Sequence, residues 1–196
     1  EEMVIDVQVQ INKMNRILEL LNKEEKTSSI EDCTNAELFY SLISNYSVQR
    51  KAPLSDKFVI KKLSFFPVAA KENQGDAKDK DNHYYEFKTS FTNKGNKLNL
   101  RQLRPWQNID FYYCFFINEE DFSKSKIYTL TKQQMLNEID LLGSATHGTE
   151  KANDKNENIE YSITIDIYNN KNINTQRWNK EYLNLALMKE IFNVIR

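Results

Sequence analysis

Apolar residues near the N-terminus recur three or four positions apart. They are Ile11, Met14, Ile17, Leu18 and Leu21. This spacing predicts an amphipathic helix. A second helix is predicted at 36–43, after a cap-like Thr34 or Asn35, and a third, short helix runs from Ser55 to Leu63. Residues 1–70 are therefore expected to form a helical segment packed on the rest of the chain.

Later segments carry the patterns of strands. Residues 84–88 are rich in aromatic side chains, and residues 110–118 (DFYYCFFIN) form a continuous apolar run, which indicates a strand buried on both faces. Residues 160–169 (EYSITIDIYN) alternate between apolar and polar positions, which predicts another strand. A short strand is also expected just before Thr131.

Helical patterns separate these strands. They cover 100–109 (LRQLRPWQNI), a segment capped by Thr131 and stopped at Gly143, and a closing helix over 175–195. The alternation predicts an α/β or α+β fold, with a central mixed sheet flanked by helices. Residues 71–196 are expected to form the core with its C-terminal helix, in a single domain overall.

The amino-acid composition excludes several classes of protein. The chain has 196 residues, of which 40% are hydrophobic and 28% charged, enough to build one sizeable core. The net charge of −1 excludes a bulk polycation, so polyanion binding would need a local basic patch. Cys33 and Cys114 match no metal or redox spacing, and they form no recognisable zinc pattern with His83 and His147.

The sequence pattern predicts neither a membrane-spanning segment nor an export signal. No apolar run approaches the roughly 20 residues of a membrane span. The first residues are acidic and show no signal-peptide pattern, so the cytoplasm is the expected location and no membrane partner is expected. The chain starts without a methionine, which is consistent with a trimmed end or a piece of a longer protein.

The segment around residue 86 carries candidate chemistry. Alternation along the predicted strand puts Glu86 and Lys88 on one face and Phe87 on the other. Asp76 lies ten residues before Glu86 and follows Gly75, which permits an unusual backbone angle. Two carboxylates and the Phe87 carbonyl would offer an all-oxygen site of the kind that suits Mg²⁺, and Lys88 could act on the same phosphate.

Gly75-Asp76, followed by Glu86-Phe87-Lys88 on an aromatic strand, resembles the signature of the PD-(D/E)xK nuclease superfamily, especially type II restriction endonucleases. The resemblance implies a mixed sheet between helices and Mg²⁺-dependent, sequence-specific hydrolysis of double-stranded DNA. It implies that Asp76 and Glu86 bind the metal together with the Phe87 carbonyl. Lys88 would be the catalytic lysine.

The match departs from the family pattern at one position, where Gly75 replaces proline. Asp79 and Asp81 therefore remain rival first ligands. Family members often place a glutamine-bearing helix after the catalytic strand, so Gln102 or Gln107 is expected to support the site.

DNA contacts are expected from two groups of residues. The basic cluster near the site comprises Lys94, Lys97, Arg101 and Arg104. Arg101 and Arg104 would share a face of the predicted helix and contact phosphates. The polar loop around His147 offers hydrogen-bonding groups for a groove or a phosphate. Its candidates are Ser144, Thr146, His147 and Thr149.

Other interpretations remain open. One keeps the fold but acts on structured DNA, as a repair, phage or mobile-element nuclease. Another is a non-catalytic DNA-binding module in which Glu86 and Lys88 form only an exposed ion pair of little energetic weight. A nuclease that cuts both strands of a symmetric site usually works as a two-fold dimer, so a homodimer is expected, paired through the first or the last helix.

Overall fold

The computed structural model describes residues 2–23, 29–69, 74–92, 95–146 and 159–193, with side chains from residue 6 onward. The fold is mixed α+β: N-terminal helices precede a five-stranded mixed sheet, and a three-stranded sheet lies beside it. This confirms the predicted fold class.

The five-stranded sheet has the order β1-β2-β3-β5-β6, and the three-stranded sheet has the order β4-β8-β7. The strands are β1 (Phe66–Pro67), β2 (Ala77–Lys78), β3 (Tyr84–Thr92), β4 (Lys97–Leu103), β5 (Phe111–Asn118), β6 (Lys126–Thr131), β7 (Ser144–Ala145) and β8 (Tyr161–Asp166). Strands β3 and β5 run parallel, with Glu86 opposite Tyr112 and Lys88 opposite Cys114. The other neighbouring pairs are antiparallel.

The helices are α1 (Glu2–Lys23), α2 (Ala36–Ile43), α3 (Val48–Leu63), α4 (Lys132–Leu142), α5 (Ile173–Glu181) and α6 (Leu185–Phe192). The Asn35 side chain caps α2 by accepting from the Leu38 N–H at 3.0 Å. Thr131 caps α4 in a capping box with Gln134, as the sequence predicts.

Three predicted elements differ from the structure. Helix α3 begins at Val48 rather than Ser55 and continues through Pro53, because Lys51, Ser55 and Val59, spaced four apart, form a buried stripe that packs on both sides of the proline. The expected helix over 100–109 is instead strand β4 and a turn. The single closing helix is two helices, because Asn184 caps a new helix by accepting from the Leu187 N–H at 2.9 Å.

Strand β4 is decided by long-range pairing. Leu98, Leu100 and Leu103 are buried while the residues between them are exposed, as in a strand with one face on the core. Leu98 pairs with Ile165 and Leu100 with Ile163 in β8. The Leu100–Leu103 spacing also fits a helix, so the local pattern was ambiguous.

Two apolar cores lie on opposite faces of the five-stranded sheet. Phe87 and Phe115 face the first core, which α2, α3 and α6 complete. Cys114 and Phe116 face the second core, which β4, β8, α4 and α5 complete. Strand β5 is thus buried on both faces, as predicted. No helix in the described ranges is long and apolar enough to cross a membrane.

Candidate active site

Glu86 and Lys88 form an ion pair inside the molecule. Glu86 is only 7% exposed, and the Lys88 Nζ lies 3.0 Å from the Glu86 Oε1. The Lys88 Nζ also donates to the Gln102 carbonyl at 3.1 Å. The predicted shared face of Glu86 and Lys88 is confirmed, and that face is covered by β4 rather than solvated. A buried pair of this kind carries a desolvation cost, so it is a poor device for stability and calls for another explanation.

Asp76, which directly precedes β2, reaches the same part of β3 from the neighbouring segment of the chain. Its backbone N–H donates to the Tyr85 carbonyl at 2.8 Å, and its carboxylate Oδ2 accepts from the Phe87 N–H at 2.7 Å. Strand β2 pairs with β3 only at Tyr84 and Tyr85, so the edge of β3 is open at Phe87. The N–H and C=O of one strand residue face the same neighbour, so the Phe87 carbonyl also points to the Asp76 side.

Gly75 permits this approach. Its φ is +80°, and a Cβ at this position would lie 2.5 Å from the Tyr85 carbonyl oxygen. Any side chain would therefore push Asp76 away from β3 as well as strain the backbone. The unusual backbone angle expected at Gly75 is confirmed.

The electrostatics of Asp76 reflect a crowded acidic site. Burial raises its pKa to about 6, and the negative charge of Glu86 adds to the shift. The hydrogen bond from Phe87 and the positive charges of Lys88 and Arg104 oppose it. Burial is the largest cause of the raised Asp76 pKa, and repulsion from the Glu86 carboxylate is the second.

Asp56 is a further acid that sequence reasoning missed. It lies on α3, where burial and then the charges of Asp76 and Glu86 raise its pKa to about 8. Asp56 therefore belongs to the same electrostatic cluster, although it comes from the N-terminal helical segment. One signal was available: Asp56 follows the buried Ser55 and precedes the buried Val59 by three positions, so it lies on the inward stripe of the helix.

Gln107 contacts the other oxygen of Glu86. The Gln107 side-chain Nε2 donates to the Glu86 Oε2 at 3.3 Å. The backbone carbonyl of Gln107 accepts from the Lys132 Nζ at 2.6 Å. The Gln107 Oε1 and the Tyr112 hydroxyl are buried and have no hydrogen-bond partner among the described residues. Tyr112 lies opposite Glu86 on β5, and burial, followed by the negative charge of Glu86, raises the pKa of the Tyr112 hydroxyl. Buried polar atoms normally have partners, so these two atoms leave hydrogen-bonding capacity unused near Glu86.

Gln102 contributes through its backbone. It has a φ of +53°, and the pairing of β4 with β8 shifts register between Leu100 and Leu103. This bulge directs the Gln102 carbonyl at Lys88, while the Gln102 side chain is exposed. Of the two predicted supporting glutamines, Gln107 brings its side chain to the site and Gln102 brings its carbonyl.

The expected basic cluster is divided. The Arg104 Nε donates to the Glu160 Oε1 at 2.8 Å, and its charge reaches Asp76. Lys97 and Arg101 are exposed on the outer face of β4. Arg101 and Arg104 do not share a helix face, because this segment is a strand followed by a turn. Lys94 lies outside the described residues.

The predicted polar loop is described only in part. Ser144 lies exposed in β7, opposite Ser162. The Thr146 hydroxyl donates to the Glu160 carbonyl at 3.2 Å, so Thr146 and Arg104 both contact Glu160. His147 and Thr149 lie outside the described residues.

The rival ligands Asp79 and Asp81 belong to a turn. With His83 they offer ligand atoms within 4.8 Å of one another. Asp79, however, accepts from the N–H groups of Asp81 and His83 at 2.8 and 3.0 Å and from the Tyr85 hydroxyl at 2.8 Å. Burial opposes ionisation, but these hydrogen bonds lower the Asp79 pKa to about 2. Both carboxylate oxygens of Asp79 therefore accept hydrogen bonds that stabilise the loop between β2 and β3.

The donor set at Asp76 suits a hard divalent cation. A carboxylate from Asp76, a carboxylate from Glu86 and the Phe87 carbonyl are all oxygen ligands, which Mg²⁺ prefers. No protein-family model matches the chain, and a search of curated proteins finds no match. The resemblance to PD-(D/E)xK nucleases therefore rests on the sequence pattern of Asp76, Glu86 and Lys88 alone.

Proposed function

We propose that this chain is a Mg²⁺-dependent, sequence-specific endonuclease that hydrolyses phosphodiester bonds in double-stranded DNA, as type II restriction enzymes do. One observation carries the proposal: the Asp76 carboxylate hydrogen-bonds to the N–H of Phe87, the residue between the buried Glu86 and Lys88. The acid Asp76 thus lies at the edge of β3 beside the strand residues that carry a second acid and a lysine, Glu86 and Lys88. Titratable groups in such a buried cluster are typical of catalytic sites.

Each residue has a distinct role in the proposed reaction. Asp76, Glu86 and the Phe87 carbonyl would hold Mg²⁺, which supplies positive charge at the phosphate and lowers the pKa of a bound water. Asp76 must first lose its proton, and its pKa of about 6 places this step below neutral pH. The Lys88 ammonium is paired with Glu86 and would exchange this partner for an oxygen of the phosphate as negative charge develops there.

The burial of the Glu86–Lys88 pair favours this proposal over a passive binding module. An exposed surface pair would need no function, but here the side chains of Glu86 and Lys88 are only 9% and 14% exposed, and their charges act on Asp56 and Asp76. Lys97, Arg101 and Arg104 are the described basic residues proposed to contact DNA phosphates. The positive charge of Arg104 also helps to lower the pKa of Asp76.

Digestion of plasmid and phage DNA tests the proposal. Wild-type protein, Lys88→Ala and Lys57→Ala are incubated with Mg²⁺ or with EDTA. Lys57 is an exposed lysine on α3 and serves as the matched control. Discrete bands that need Mg²⁺ are expected from the wild type and Lys57→Ala, with a loss of about 100-fold or more in Lys88→Ala.

Other outcomes separate the rival functions. Cleavage of branched or single-stranded DNA without discrete duplex products would indicate a nuclease for structured DNA. DNA retention with no cleavage, across several metals, would leave a binding module. A folded Lys88→Ala protein that cuts at the wild-type rate would overturn the assigned mechanism.

A further inference from the structure

Helix α1 exposes an apolar stripe away from the body of the protein. We call this stripe the α1 seam. It consists of Val7, Ile11, Met14, Leu18 and Leu21. All five are exposed, with Met14 at 61% and Leu18 at 55%. Long exposed apolar side chains in such a row are unusual on a protein that remains alone in water.

The opposite side of α1 already holds the helix to the body. Leu20 is 4% exposed, and Ile17 packs against the first core. Arg16 donates to Glu37 at 3.0 Å, and the Lys13 Nζ donates to the Ser44 hydroxyl at 3.2 Å. The seam is therefore not the side by which α1 is attached to its own chain.

The seam has the spacing of a coiled coil. Its members follow one another at intervals of four, three, four and three residues, which is the heptad pattern of alternating core positions. A coiled-coil seam is completed by another helix with the same spacing. We propose that the α1 seam pairs with the α1 seam of a second copy of this chain.

The polar residues beside the seam favour a second copy over other occupants. The seam is flanked by uncharged amides, namely Gln8, Gln10, Asn15 and Asn22. Two identical surfaces can meet there without opposing like charges, and amides can bond to amides. A helix that lies on a membrane typically flanks its apolar face with lysine and arginine, which this seam lacks.

The area is sufficient for a dimer. The five seam side chains leave roughly 500 Å² exposed per copy, within the range of the largest apolar patch on a monomer, which is often functional. Two seams with their flanking amides would bury about 1,000–1,400 Å², the lower end of specific interfaces. Helix α1 spans 22 residues, or about 33 Å, so two copies can align over about three heptads. The exposed seam carries this inference without the proposed nuclease activity, and it favours the first helix over the last as the place where two copies pair.

Sedimentation equilibrium of the full chain tests the inference. The wild type is expected to approach twice the 23.2 kDa mass of the chain as concentration rises. Met14→Glu/Leu18→Glu should weaken self-association at least tenfold and leave a monomer. The control Leu141→Glu/Ile173→Glu places the same charges on exposed apolar residues of α4 and α5 and should remain dimeric. Circular dichroism checks folding, and Met14→Gln/Leu18→Gln replaces the glutamate variant if its helix is lost.

Cross-linking locates the contact. Met14 is the middle residue of the seam, so in an in-register pair it meets its own copy in parallel or antiparallel helices. Met14→Cys should form a disulfide-linked dimer on oxidation, and Leu141→Cys should not; Cys33 and Cys114 are buried. A wild type that stays monomeric, a seam variant that stays dimeric, or a dimer that Met14→Cys fails to cross-link would overturn the inference.

Discussion

The Asp76 carboxylate accepts a hydrogen bond from the backbone N–H of Phe87 at 2.7 Å, across the edge of β3 that β2 leaves uncovered. The bond places an acid from one segment beside the acid and lysine of the next. It uses one oxygen of Asp76, and no hydrogen bond within the described residues occupies the other. This hydrogen bond fixes the orientation of the Asp76 carboxylate beside the strand residues Glu86 and Lys88, the other two proposed catalytic residues.

Asp76→Asn should stabilise the metal-free protein at high pH. The folded-state pKa values of Asp76 and Asp56 are about 6 and 8, above the usual value of 3.8, so the folded protein holds protons that the unfolded chain releases. Stability without metal should therefore fall as pH rises from about 4 to 8. Removing one acid should recover about 1–2 kcal/mol at pH 8, or roughly 2–8 °C in Tm.

Thermal melts in EDTA and in Mg²⁺ at pH 5 and pH 8 measure this effect. Mg²⁺ should raise the wild-type Tm more at pH 8 than at pH 5, because it binds the ionised acids. Asp76→Asn should lose this Mg²⁺ response and also lose cleavage. A variant that melts below the wild type in EDTA at pH 8 would contradict the assignment.

Asp56→Asn should reduce cleavage without unfolding the chain. Asp56 shares the electrostatic field of Asp76 and Glu86, and loss of a group beside a metal site typically costs about 10–100-fold in activity or metal affinity. Asp140→Asn, on the exposed side of α4, is the matched control and should cut at the wild-type rate. Equal rates for the two variants in a plasmid-nicking time course would exclude Asp56 from the site.

Gly75→Ala should destabilise the fold more than Gly95→Ala. Both glycines have positive φ, +80° and +86°, so each substitution carries about 1–2 kcal/mol of backbone strain. At Gly75 the new Cβ would also meet the Tyr85 carbonyl oxygen at 2.5 Å, whereas Gly95 has open space around it. The contact should cost about 1–3 kcal/mol more. Urea unfolding measures the difference, and equal losses would show that the loop at Gly75 can move.

Glu138→Gln should be strongly destabilising. Glu138 is buried and accepts hydrogen bonds from the side chains of Arg177, Trp178 and Tyr182, which tie α4 to α5. The substitution leaves Arg177 without its counter-charge and should cost about 3 kcal/mol in the free energy of unfolding. Glu37→Gln, which breaks the surface pair with Arg16, should cost below about 1 kcal/mol. Similar midpoints in urea for the two variants would refute this ranking.

Local sequence patterns determined the elements whose signals lie within a few residues. The continuous apolar run predicted β5, the Thr131 cap and Gly143 predicted α4, and alternation put Glu86 and Lys88 on one face. These features follow from side-chain period and capping, which act over one or two turns of chain.

The tertiary structure decided what depends on distant partners. Leu100 and Leu103 fit a helix or a strand, and pairing with β8, about 60 residues later, selected the strand. Asp56 joins Asp76 and Glu86 only because α3 packs against β3. Burial of the Glu86–Lys88 pair depends on β4 crossing the face of the sheet. The sequence by itself therefore determined local periodicity, while the packing of layers decided which polar side chains share a buried space, because burial is set by the whole fold.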